Sequence, residues 1–326
     1  MSKTLAVLPR LSDYPEHYAR LTPNNQAAVL GNITLDYRRF ARRIDQCASA
    51  MLQAGLGHGD RVATLSNPHP DALVIFMACA RIGAIWLGLN TRSKYDELAY
   101  IVGDAQPSLL FTIADFEGRD YGEDIANLSG KFGCIKSTIL LTDVSKSAAT
   151  WTEPFSNFDT FLQQGGDYSI KAMIDAVAAV KPDAPALIVY TSGSTGQPKG
   201  ALLSHRNIVT SALTQYHYWH PEPLRILNNA PINHLGGAVQ IAAYGIVTGG
   251  TNVLMERFKP ADTLAVIEAQ QITVAHQTPT MFQLILDKAD PAQYDLSSLQ
   301  LLIWSGSAAP RDLLAQLRTL CRHLST

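Results

Sequence analysis

The run Tyr190-Thr-Ser-Gly-Ser-Thr-Gly-Gln-Pro-Lys-Gly200 gathers the groups that hold a polyphosphate. Gly193, Gly196 and Gly200 permit backbone conformations in which successive N–H groups point into one concavity. Thr191, Ser192, Ser194 and Thr195 add hydroxyls, and Lys199 adds a mobile positive charge. The apolar run Leu187-Ile-Val189 before it reads as a buried strand, and Ser204 after it reads as a helix N-cap. A solvated linker seldom combines a strand before, a lysine within and a cap after. The loop of the P-loop nucleoside triphosphatases is excluded. That pattern needs Gly-Lys followed by Ser or Thr, whereas Pro198 precedes Lys199 and Gly200 follows it.

Other candidates carry less by themselves. His234, in Pro231-Ile-Asn-His-Leu-Gly-Gly237, stands beside Gly236 and Gly237, where an isolated histidine reads as readily as a capping or packing residue. His217 and His220, expected on one helix face, have no Cys or acid nearby in sequence and read as ordinary side chains; no residue is assigned to a metal. Gly55-Leu-Gly-His-Gly59 follows a helix and precedes a strand, the reverse of a dinucleotide loop, and reads as a helix C-cap and turn. Neither Ser194 nor Ser305 sits in the G-x-S-x-G order of a nucleophile elbow.

Positioning these groups requires alternating helices and strands. The pattern predicts a helix capped at Thr34, a strand at Arg61 to Leu65, a helix near Asp71 to Ile82 and a strand at Ala84 to Leu89. A helix opened by a Ser93 and Asp96 capping pair follows, then strands at Ser108 to Thr112, Ile135 to Leu141 and Ala186 to Tyr190. Thr142 to Asp167 reads as a long connection with one short helix. Beyond Gly200 come helices from Ser204 and through Gly236 to Val247, and strands at Thr251 to Leu254, Thr273 to His276 and Leu299 to Trp304. Pro260, Pro279 and Pro310 each open a helix. The fold class expected is α/β, with two stacked α/β layers and largely parallel sheets. Residues 61–200 form the first subdomain, with the loop at its end, and 1–60 with 201–326 form the second.

Length and composition are compatible with this. The chain has 326 residues, 47% hydrophobic, which suggests about two domains' worth of packed core. A net charge of -2 gives no general attraction to nucleic acid or anionic membrane, so the partner expected is a small molecule held by a local constellation. Ala72 to Leu89 is broken by Arg81 and Gly83 and reads as a buried helix and strand rather than a membrane span. Leu5 to Leu8 is too short for a signal segment, and Cys47, Cys79, Cys134 and Cys321 form no C-x-x-C pair. A cytoplasmic protein with reduced thiols is therefore expected.

The glycine- and hydroxyl-rich run resembles the signature loop of the adenylate-forming (AMP-binding) enzymes, which include acyl-CoA and aryl-CoA synthetases, luciferases and peptide-synthetase adenylation domains. Gly59-Asp-Arg-Val-Ala63, Gly83-Ala-Ile-Trp-Leu-Gly-Leu-Asn90 and Asp96-Glu-Leu-Ala-Tyr-Ile-Val-Gly-Asp-Ala105 are similar to early segments of that family. So are Leu203-Ser-His-Arg-Asn207, Pro231 to Gly237 and the turn Ser305-Gly-Ser-Ala-Ala-Pro310. The resemblance implies a two-step ligase. A carboxylate attacks the α-phosphate of ATP to give an acyl-adenylate and pyrophosphate, and the thiol of coenzyme A then takes the acyl group.

It further implies that Thr191 to Gly196 and Lys199 hold the β- and γ-phosphates, with Mg²⁺ bound beside them, and that Gly306, Ser307 and Ala308 contact the nucleotide. Lys199, Thr191 and His234 are the implied catalytic residues. The acid would lie against His234, Gly236, Gly237 and Gly306. Asn233 stands where the family usually has an aromatic residue. Pro231 to Gln240 contains no acid to pair with a substrate ammonium, which favours a fatty or aromatic acid over an amino acid.

The family's later motifs are not found in these residues: the Glu for Mg²⁺, the Asp for the ribose, and the small C-terminal domain with its Lys. The expectation is therefore a truncated N-terminal AMP-binding domain over 1–326, nearly inactive alone and prone to self-association through an exposed apolar face. The alternative is a non-catalytic module that keeps only the phosphate loop.

Overall fold

The computed structural model describes residues 5–141, 155–191 and 196–320. Helix α1 (Asp13–Leu21) leads into β1 (Gln26–Leu30) and β2 (Ile33–Asp36), an antiparallel pair. Helix α2 (Tyr37–Gln53) begins later than expected. Thr34 pairs with Val29 inside β2, and the cap is Asp36, whose carboxylate accepts the Arg39 N–H at 2.7 Å.

A run of βα units follows: β3 (Arg61–Leu65), α3 (Pro70–Ile82), β4 (Ile85–Leu89), α4 (Tyr95–Ala105) and β5 (Leu109–Thr112). Neither Ser93 nor Asp96 caps α4. The Glu97 carboxylate reaches back one turn to accept the Lys94 N–H at 2.9 Å, which satisfies an end donor from inside the helix.

Next come the short hairpin β6 (Asp115–Phe116) and β7 (Arg119–Asp120), then α5 (Gly122–Lys131) and β8 (Ser137–Leu140). Part of the connection expected at 142–167 lies outside the described residues. The remainder holds β9 (Phe155–Asn157) and α6 (Phe158–Gln164), where one short helix was expected. Helix α7 (Ile170–Ala179) precedes β10 (Pro185–Thr191), β11 (Lys199–Ser204) and α8 (His205–Tyr218). His220 lies beyond the end of α8 with its ring tilted 54° against that of Tyr216 at 6.0 Å, so the two histidines do not share a helix face.

The last part comprises β12 (Arg225–Asn228), a π-helix (Gly236–Ala243), α9 (Tyr244–Thr248) and β13 (Thr251–Leu254). Helix α10 (Pro260–Ala269), β14 (Val274–Gln277), α11 (Pro279–Lys288), β15 (Leu301–Trp304) and α12 (Arg311–Leu320) complete it.

The strands form two large sheets, ordered β15-β14-β12-β13-β1-β2 and β11-β10-β4-β3-β5-β8-β9. Each is parallel except at one edge, where β2 and β11 run antiparallel to their neighbours. One core lies between the sheets. Trp86, Leu187 and Phe111 of one sheet and Ile226, Val274 and Ile303 of the other belong to it, together with residues of α2, α3, α8 and the π-helix. Helices α4 and α5 cover the far face of the seven-stranded sheet, and α10, α11 and α12 cover the far face of the six-stranded one.

Helix α3 lies within the shared layer and its middle is buried and apolar on every side, with charge only at its ends, where Asp71 pairs with Arg43 and Arg81 with Glu16 and Asp45. It ends at Gly83, whose φ of 74° makes the left-handed turn into β4. Among the described residues no helix is long and apolar enough to cross a membrane. Cys47 and Cys79 are buried free thiols and Cys134 is a half-buried one; Cys321 lies outside the described residues.

Candidate functional site

The polyphosphate-type run forms the tip of a hairpin. β10 and β11 pair with Tyr190 opposite Gly200 and Thr191 opposite Lys199, so Thr191 and Lys199 face each other across the base of the tip. Both are exposed, and Lys199 has no ion-pair partner among the described residues. Gly196 has a φ of 90°, open only to glycine at little cost, whereas Ser192, Gly193, Ser194 and Thr195 lie outside the described residues.

Gly200 serves a different purpose from the one read in the sequence. It sits in regular strand, and a Cβ there would lie 3.1 Å from the Ile188 side chain and 3.2 Å from the Tyr190 ring. Its lack of a side chain lets the ring of Tyr190 lie across the hairpin.

Helix α4 clasps this hairpin. The Tyr100 hydroxyl donates to the Pro198 carbonyl at 3.0 Å, and the Tyr190 hydroxyl donates to the Asp104 carboxylate. Tyr100 and Asp104 are one turn apart and share a helix face. Burial and the Asp104 carboxylate push the Tyr190 phenol up, so it remains a donor. Combining Tyr100→Phe with Asp104→Ala should weaken nucleoside triphosphate binding by about thirtyfold, from about 1 kcal/mol for each of the two bonds lost. Titration calorimetry reads this, and unchanged affinity in the double variant would show that the hairpin is positioned elsewhere.

His234 lies in the loop after β12. Its N–H donates to the Pro231 carbonyl at 3.2 Å, and its carbonyl accepts the Ala238 N–H at 3.0 Å. Its Nδ1 accepts the Gly236 N–H at 3.2 Å, which leaves Nε2 as the free ring position on an exposed side chain. Two glycines fix this loop. A Cβ on Gly88 of β4 would fall 2.5 Å from the Cα of Asn233, and one on Gly237 would fall 2.4 Å from the Pro231 oxygen. Asn233 is thus held by its backbone against β4. Gly237 gives its space to Pro231, while the position of a Cβ on Gly236 has nothing closer than the His234 ring at 3.6 Å. The π-helix that follows is a wide turn of a kind that recurs at functional sites.

The hairpin and the His234 loop meet at the same strand ends. β10 and β4 are parallel neighbours, with Ile188 opposite Leu87, and Gly88 is the next residue along β4. The carboxyl ends of parallel strands are where open α/β sheets bind ligands. A cavity of about 210 Å³ opens there between the two sheets. Asn67, Asn90, Asn229 and Asn233 line it, together with the cationic Arg92 and Arg257 and the acidic Glu256. A larger cavity of about 750 Å³ lies between α11 and α12 near Tyr294, away from the strand ends and from every candidate residue.

The Gly306 turn belongs to the other sheet, after β15. Gly306 has a φ of 91°, and Gly306, Ser307 and Ala308 are exposed. No hydrogen bond or ion pair among the described residues links this turn to the hairpin. Beside it the His276 Nε2 shares a 3.0 Å hydrogen bond with Ser305 Oγ, and Gln277 donates to Asn229 Oδ1 at 3.0 Å.

Sequence reasoning missed these groups. Their signal was available, because Asn228-Asn229 and His276-Gln277 are polar pairs at the ends of otherwise apolar strands. Tyr100 and Asp104 carried no such signal. Among the described residues no group of three or more His, Cys, Asp or Glu side chains is placed to hold a metal ion.

The feruloyl-CoA synthase of Amycolatopsis sp is 29% identical over 306 residues, which cover 93% of this chain and 55% of that protein. The indoleacetate–CoA ligase of Aromatoleum aromaticum is 28% identical over 94% of this chain and 57% of its own length. The chain therefore spans a little over half the length of these relatives. A crystal structure of the anthranilate CoA ligase AuaEII in complex with anthranoyl-AMP shares the fold with a TM-score of 0.81, at 19% identity over 98% of this chain and 58% of that one. The profile of the family described as AMP-binding enzyme matches residues 15–325, and the chain belongs to that family.

Proposed function

We propose that the chain carries the phosphate-binding and acid-binding parts of an ATP-dependent carboxylic acid:CoA ligase. The observation that carries this reading is the hairpin. It sets Lys199 opposite Thr191 at the carboxyl ends of the strands beside the His234 loop, in a chain whose relatives include feruloyl- and indoleacetate-CoA ligases.

In the first step a carboxylate oxygen attacks the α-phosphorus of ATP. A bond from the acyl oxygen to phosphorus forms as the bond to the bridging oxygen breaks, and pyrophosphate leaves with that electron pair. Such a step asks for positioning and charge stabilisation more than for covalent chemistry. Lys199, the Thr191 hydroxyl and the Ser192 to Gly196 segment are assigned to the β- and γ-phosphates, where charge builds on the leaving group. The His234 Nε2–H is assigned to the carboxylate oxygen, with Nδ1 held as acceptor by Gly236 to fix the ring's orientation. Gly306, Ser307 and Ala308 are assigned to the nucleotide.

In the second step the thiol sulfur of coenzyme A attacks the acyl carbon; the carbon–sulfur bond forms as the bond from that carbon to the phosphate oxygen breaks, AMP leaves with that electron pair, and the thiol proton passes to solvent. Charge stabilisation by this chain is assigned to Lys199 and the hydrogen-bond donors of the hairpin, and Mg²⁺ held with the nucleotide would neutralise further phosphate charge. The acid is fatty or aromatic, because Pro231 to Gln240 holds no carboxylate for an ammonium. A cytoplasmic placement, where ATP and coenzyme A are both available, goes with this reading.

The test is binding of a non-hydrolysable acyl-adenylate mimic, such as an aroyl sulfamoyl adenosine. A site shaped for the adenylate should bind it at least about a hundredfold tighter than the free acid. Equal or undetectable binding would contradict the reading. Assayed by itself, the chain is expected to form thioester at close to background rate, and ordinary ligase turnover would overturn that expectation.

A further inference from the structure

The face of the six-stranded sheet turned toward the π-helix is apolar for most of its length. Ile226 of β12, Val274 of β14 and Ile303 of β15 all belong to the core between the sheets. Toward the carboxyl ends that face becomes polar, and the polar atoms are not all paired. Asn228 is fully buried, and neither its Oδ1 nor its Nδ2 has a partner among the described residues. His276 is 5% exposed; its Nε2 shares the hydrogen bond with Ser305 Oγ, and its Nδ1 has no partner. β12 and β14 pair with Leu227 opposite Ala275, so Asn228 and His276 are the next cross-strand neighbours, about 4.8 Å apart along the sheet.

A buried donor or acceptor left unmade costs about 1–3 kcal/mol, and a pocket built for a saturated hydrocarbon tail would carry Leu or Val here. Three unpaired atoms in one place, at least one a donor and one an acceptor, complement a group that both donates and accepts. A hydroxyl does so; a methylene does neither. The position agrees with that use, because β12 packs against the π-helix that follows His234, and Ser305 precedes the Gly306 turn.

We propose that Asn228 and the His276–Ser305 pair are specificity-determining contacts for a carboxylic acid whose tail carries a hydroxyl group. This rests on the ligase reading and narrows its substrate class. A site built to pair a hydroxyl rejects the analogue lacking it more strongly than an apolar pocket rejects one extra methylene.

The experiment is ligand-observed NMR or calorimetric titration of the chain with matched acids. The pairs are para-hydroxycinnamate against cinnamate and an ω-hydroxy alkanoate against the parent alkanoate. At least one hydroxylated acid should bind about tenfold tighter than its partner, and Ser305→Ala and His276→Phe should each shrink that ratio without weakening the deoxy acid. Ser305 is half-exposed next to a turn, so its variant keeps the test open if the buried substitutions fail to fold. Equal affinity within each pair, or a ratio the variants leave unchanged, would overturn the proposal and leave the ligase reading intact. Failure of every acid to bind, together with failure of the acyl-adenylate mimic, would overturn both.

Discussion

Acidification from pH 6.5 to about 4 should remove about 6 kcal/mol of folding stability through two buried histidines. His205 is fully buried behind α1; its Nδ1 accepts the Leu11 N–H at 3.3 Å and its Nε2 has no partner. Burial foremost, then the charge of Arg10, lowers its pKa from 6.5 to about 4, with His58 acting the same way and Asp13 opposing. Burial alone brings His276 from 6.5 to about 4. Below pH 6.5 the unfolded chain takes up protons that the folded chain refuses. The stabilisation is therefore complete above pH 6.5, falls as the pH drops, and is gone near pH 4.

A displacement of about 2.5 pH units corresponds to about 3 kcal/mol for each histidine. Urea unfolding at several pH values checks this, with His205→Gln expected to reduce the slope by about half, whatever its effect at pH 7. The same slope in the variant as in the parent would show that other groups carry the acid sensitivity.

Gly88→Ala should cost about 3 kcal/mol and impair acid binding along with stability. The added methyl carbon would sit 2.5 Å from the Asn233 Cα, which is backbone and cannot rotate aside. Either β4 or the His234 loop must move. β4 is a central strand between β3 and β10, buried along its whole length, so the loop is the part that yields. Gly237→Ala produces the second such collision, 2.4 Å from the Pro231 oxygen, on the other side of the same loop. Thermal unfolding and acid titration on both variants measure the effect. Gly57→Ala serves as the control, because nothing lies within 4 Å of its Cβ position. Normal melting and normal acid affinity in Gly88→Ala would mean that contact with β4 does not set the loop.

The contrast between Gly88 and Gly57 also shows how far the sequence could be read. Both are glycines near strand ends, and only the packing of one sheet against a loop of the other distinguishes them. The βα rhythm was legible because its signals are local. Pro260 and Pro279 open helices, Gly83 ends one, and Arg61 to Leu65 is a strand of the expected extent.

What stayed hidden depends on partners distant in sequence. β11 carries exposed Lys199, Gly200 and Ala201 and has weak strand character of its own, so its conformation comes from pairing with β10. The cap of α2 was misplaced because Thr34 and Asp36 are both capping types, and strand pairing to β1 removes Thr34 from the choice. Within the site, the types of Lys199, Thr191 and His234 drew attention unaided. The clasp from Tyr100 and Asp104 and the unpaired buried atoms of Asn228 and His276 emerge only when the strands are assembled.

Isothermal titration of ATP into the chain and into Lys199→Ala tests most directly whether the hairpin bearing Lys199 holds the phosphates of ATP. Lys199 is exposed and without an ion-pair partner among the described residues, so the substitution should leave the melting temperature unchanged. The parent is expected to bind ATP and the variant to bind it at least about tenfold more weakly, about 1.4 kcal/mol. ATP affinity equal in the two proteins, or no ATP binding by a folded parent chain, would contradict this role of the hairpin.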